Sequence, residues 1–79
     1  MREQLQQAFT SNEVVLIRAT SKQGNEVERF GRVEQLTDSA VTIELLDRDK
    51  KEFRAVPLAQ LTYLLTGDAA RAAQQAAAQ

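Results

Sequence analysis

The chain has no cysteine, no histidine and no tryptophan, with one proline and three glycines among its 79 residues. Without cysteine there is neither a disulfide framework nor a thiolate zinc site, and the composition fits a reducing cytoplasm. Without histidine the usual general base near neutral pH and the commonest metal ligand are both missing, so an enzyme would need perturbed carboxylates or lysines. No run of about 18 apolar residues occurs, which argues against a membrane-spanning helix. The start, Met1-Arg2-Glu3-Gln4, is not followed by the apolar core of a signal peptide. The expectation is a cytoplasmic chain with no membrane partner, no cofactor and no metal.

Charge of one sign is lacking too. Ten basic and eleven acidic residues leave a net charge of −1, so no global field draws in nucleic acid and any such binding must use a local patch. A chain of this length forms one domain and buries only about 60% of its unfolded surface, which leaves a thin stability margin. Large apolar residues run from Val14 to Leu65, and the last twelve residues hold only alanine, glutamine, one arginine and one aspartate. The packed domain is therefore expected within residues 1–67, with 68–79 an Ala/Gln-rich tail that is either a solvated helix capped by Asp68 or disordered.

Within the domain, Met1, Leu5, Ala8 and Phe9 have helical spacing and predict a short amphipathic helix over 2–9, closed by Thr10-Ser11-Asn12. Val14-Val15-Leu16-Ile17 predicts a strand covered on both faces, with the helix as one cover. Residues 26–36 carry Val27, Phe30, Val33 and Leu36 at a spacing of three, which would also suit a helix. Gly31 in the middle disfavours a helix by about 1 kcal/mol and permits a bend, so a long strand is expected whose bend turns all four residues inward, unless the helix covers the outer pair.

Thr37-Asp38-Ser39 reads as a tight turn, and Val41, Ile43 and Leu45 alternate with Thr42 and Glu44 as a half-buried strand. Asp47-Arg48-Asp49-Lys50-Lys51 is a charged hairpin loop. Phe53, Ala55 and Pro57 form a fourth strand that ends at Pro57 or lies at an edge. Leu58-Ala59-Gln60 is a turn, and Leu61, Tyr63 and Leu65 alternate in a fifth strand that Gly67 terminates. Five short strands predict an all-β fold, a small five-stranded SH3-like barrel with a short N-terminal helix, whose closure would remove exposed edges.

Phe30-Gly31-Arg32-Val33-Glu34-Gln35-Leu36 followed by Val41-Thr42-Ile43-Glu44-Leu45 resembles the first motif of Sm-like proteins, in which a glycine lies in a bent second strand that turns tightly into a third. The resemblance covers residues 3 to about 65. It implies an Sm-like barrel and an oligomeric ring that binds single-stranded RNA. Arg54-Ala55-Val56-Pro57, at the place of the second motif, has neither the Arg-Gly nor the Lys-His pair of that family. The order of strands and turns also resembles the small bacterial YolD-like family.

Four sets of residues can be weighed for chemistry. Asp38, Asp47, Asp49 and Glu52 offer oxygen ligands for a hard cation, but Arg48, Lys50 and Lys51 lie among them and favour a solvated loop. Glu26, Glu28, Glu34 and Glu44 sit where exposed strand glutamates are expected, paired across strands with arginines. Arg29, Arg32, Lys50, Lys51 and Arg54 are the candidate RNA-contacting set, with ordinary surface charge as the competing reading. Leu5, Phe9, Leu61, Tyr63 and Leu64 are the candidate protein interface. Of these Leu64 is the main clue, because a strand with Leu61, Tyr63 and Leu65 inside turns it to the other face, where it must meet the helix, the tail or another subunit. The expected function is noncatalytic: an interaction module acting through self-association or binding of another protein, with Sm-like RNA binding as the alternative.

Overall fold

The structure is a computed structural model that describes residues 2–78. Met1, placed by the sequence in the first helical stripe, and Gln79, at the end of the tail, lie outside the described residues. Helix α1, Arg2–Ser11, buries Leu5 and Ala8 completely. It stops where Asn12 turns left-handed, with φ 56°. The Asn12 amide donates to the Phe9 carbonyl at 3.3 Å and the Glu13 amide to that of Ala8 at 2.9 Å, which satisfies carbonyls the helix leaves open. The other end is tied down by Arg2, whose guanidinium donates to the Thr37 carbonyl at 2.6 Å.

Five strands follow: β1 Val14–Thr20, β2 Glu26–Leu36, β3 Ala40–Leu45, β4 Glu52–Pro57 and β5 Leu61–Thr66. The β2–β3 turn is held by Thr37, whose hydroxyl accepts from the Ala40 amide at 3.1 Å, and a 3-10 turn, Leu58–Gln60, joins β4 to β5. All neighbouring strands are antiparallel, in the order β4-β3-β2-β1-β5. Pro57 thus falls at the end of an edge strand, where its missing donor costs no central ladder bond.

Two expectations are corrected here. The sheet is open, not an Sm-like or SH3-like barrel: β4 and β5 stand at opposite edges and do not pair with each other. Nor is the fold all-β, because the tail forms a second helix, α2, Gly67–Ala78. The physical reason is shared. Each face of the sheet finds a helix to pack on, which gives a mixed layered arrangement that buries apolar side chains without closure.

Register and burial assign the faces. Val15, Ile17 and Ala19 of β1 join Leu5 and Ala8 of α1 in the main core with Val33, Val41, Ile43, Leu45 and Val56. Val14 and Leu16 point the other way and pack with Ala70 of α2, together with Phe30, Leu65 and Ala73. β1 is therefore apolar on both faces because helices cover both.

Gly31 does not act as the expected hinge that turns four residues inward. Val27 and Val33 belong to the α1 face, whereas Phe30 packs under α2. Leu36 returns to the α1 face because the β2–β3 register shifts between Val33 and Gln35, three residues beyond the glycine. What Gly31 supplies is space. A Cβ built there would lie 1.8 Å from the Glu44 carbonyl oxygen, so the two backbones approach more closely than any side chain permits.

Candidate functional site

The sheet's two free edges are the most conspicuous feature left after the helices have covered its faces. An edge strand carries a row of amides and carbonyls without partners, and these pair readily with another strand. β4 runs Glu-Phe-Arg-Ala-Val-Pro, with two charges and a proline. β5 runs Leu-Thr-Tyr-Leu-Leu-Thr, with neither. Its one irregularity is a register shift against β1: Tyr63 lies opposite Arg18 and Leu61 opposite Ala19, which leaves Thr62 as the extra residue.

That shift changes which residues face outward. Leu61 and Leu64 both pack against the α1-side core, and Tyr63 and Leu65 take the α2 face. Leu64 meets the α1-side core, one of the contacts expected for it, and is held within the fold, as is Leu5 at 0% exposure. Of the expected interface residues, Phe9 and Tyr63 remain available, at 42% and 39% exposure. Sequence reasoning missed Phe53, which is 41% exposed and lies opposite Glu44. Alternation alone does not distinguish the inner and outer faces of an edge strand.

Phe53 and Tyr63 share a face. Glu44 pairs with Arg32, Arg32 with Val14, and Val14 lies under α2. Tyr63 pairs with Arg18, two residues from Leu16 on that face. Each open edge therefore presents one half-exposed aromatic ring toward the α2 side. The Tyr63 ring is fixed by the Arg18 guanidinium, 4.9 Å from its centroid, and Arg18 is itself held by Glu28 at 2.9 Å. The hydrogen bond that Arg18 donates to the Glu28 carboxylate raises the arginine pKa above its ordinary value.

The five basic candidates do not converge. Arg29 lies opposite Ile17 and Arg54 opposite Ile43, on the α1 side of the register, while Arg32 faces the α2 side and Lys50 and Lys51 lie in the loop after β3. Arg54 contacts Glu52 at 3.2 Å and Lys51 reaches Glu44 at 3.9 Å. Arg32 has its Nε buried without a hydrogen-bond partner among the described residues. Of the four acids weighed for a cation, Asp47 and Glu52 both contact Arg48, and Asp38 contacts Arg2. Among the described residues no three acidic groups are placed to hold a metal ion.

A solvent-open cleft of about 310 Å³ lies between the end of α1 and the start of α2, lined by Asn12, Glu13, Val14, Gly67, Asp68 and Arg71. Its charged groups are all exposed, so it offers no desolvated group for chemistry. No helix of the described residues is long and apolar enough to cross a membrane. No protein family, curated protein or solved structure matches the chain.

Proposed function

We propose that the chain is a noncatalytic interaction module that self-associates by pairing the free edge of β4 in one copy with the free edge of β5 in the next. The observation that carries this reading is the half-exposed aromatic at each edge, Phe53 and Tyr63, on the same face of the sheet. Strands that pair edge to edge continue the pleat, so residues directly opposite one another share a face and their side chains touch. β4 and β5 run in the same direction across the sheet, so joining them as parallel strands with the α2 sides aligned brings the two rings to one face of one seam. Joining β5 to β5 would leave both Phe53 rings in water.

β5 lacks the charges and proline with which natural edge strands resist pairing and is the readier edge, while β4 keeps Glu52, Arg54 and Pro57, so its part in the seam rests on Phe53. A contact between two different edges is head-to-tail, so it propagates until the rotation closes a ring. The alternative, Sm-like RNA binding, has less support, because the sheet is open and the five basic residues are divided between two faces and a loop.

Light scattering after size exclusion tests the reading. The unmodified chain is expected as a multi-copy assembly, and Tyr63→Lys or Phe53→Lys should shift it toward the monomer by placing an unpaired charge in the seam. An unmodified chain that stays monomeric at high concentration would contradict it.

A further inference from the structure

α2 is attached to the sheet by very little. It has no apolar side chain larger than alanine, Ala70 is buried and Ala73 partly so. Among the described residues none of its side chains makes an ion pair or a hydrogen bond. α1 differs on each count: it inserts Leu5 and Ala8 into the main core and Arg2 binds the β2–β3 turn. Yet the side chains that α2 covers are large. Val14 and Leu16 are 2% and 1% exposed beneath it, beside Phe30 and Leu65.

The connection to β5 suits a pivot. Gly67 takes φ +59°, a left-handed conformation that a glycine enters and leaves without a side-chain penalty. We infer that α2 is a detachable cover: it lifts from the sheet about Gly67 while α1 and the five strands stay folded, and so bares the strip Val14, Leu16, Phe30 and Leu65. The strip continues into Leu46, 37% exposed, whose amide donates to the Phe30 carbonyl at 3.2 Å. Covered, this surface is a minor part of the core. Uncovered, it is an apolar face of the kind monomeric proteins rarely leave in water. Opening of such a weakly held element is a local event of low free energy, separate from global unfolding.

The absence of cysteine makes a direct test simple. Leu16→Cys and Ile17→Cys each place one thiol in β1, the first beneath α2 and the second in the core beneath α1, both at positions no more than 1% exposed. The thiol at position 16 should react with a maleimide at least about tenfold faster than that at 17 under native conditions, since only lifting of α2 is needed to reach it. Hydrogen exchange on the unmodified chain supplies the second readout and needs no variant to fold. The α2 amides should exchange at least about tenfold faster than those of β1. Equal labelling of the two thiols would overturn the inference even if α2 exchanged fast, because the helix would then fray without lifting. Exchange of α2 in step with β1 would overturn it too.

Discussion

The Glu44 carbonyl oxygen stands where a side chain at position 31 would begin. Gly31 is not among the residues of positive φ, so its role is space and not backbone conformation. Gly31→Val should therefore cost about 3 kcal/mol or more, at the upper end of overpacking penalties, and Gly31→Ala should cost nearly as much because the first carbon already collides. Urea denaturation midpoints would check this; an alanine variant of unchanged midpoint would mean that the strands relax apart. Leu5 and Phe9 make a second contrast, one turn apart on α1. Leu5 is fully buried and Phe9 is 42% exposed, so Leu5→Ala should cost about 3 kcal/mol and Phe9→Ala about 1 kcal/mol or less in the same assay. The need for Gly31 was legible in the sequence, but its cause was not: a close approach depends on β3, ten or more residues further along the chain.

Element boundaries were legible because they rest on local signals. The span of β2, the Thr37–Ser39 turn and the charged loop before β4 lie where turn residues put them, while α1 runs two residues past the expected 2–9, through Ser11. α2 was not legible as a packed element. Its alanines carry no apolar stripe, and the large groups of that second core, Val14, Leu16, Phe30 and Leu65, all belong to the sheet. The β5 register was misread for a similar reason, since the extra residue Thr62 leaves no mark in the pattern Leu-Thr-Tyr-Leu-Leu-Thr yet moves Leu61 to the face of Leu64. The two helices should differ in what holds them. Arg2→Ala removes the bond to Thr37 and the 3.4 Å contact with Asp38, and should cost about 0.5 to 1 kcal/mol, a loss that high salt does not reproduce in full because the carbonyl bond is not an ion pair. A variant that melts as the unmodified chain does would show that Leu5 and Ala8 anchor α1 unaided.

Closure is a property of the whole molecule, and no local pattern encodes it. Five strands of six to eleven residues can curl shut or stay open, and the outcome depends on whether β4 meets β5, which are edges of one sheet here. The fold leaves both edges free and leaves one half-exposed aromatic on each, so the partner that each edge lacks is available on a second copy. Amide hydrogen exchange followed residue by residue at low and at high protein concentration tests this most directly. If copies join edge to edge, amides of Glu52–Val56 and Leu61–Thr66 gain protection as concentration rises, while those of Val15–Ala19, flanked by β2 and β5 within one copy, do not change. Protection of β4 and β5 that is the same at both concentrations would contradict edge pairing.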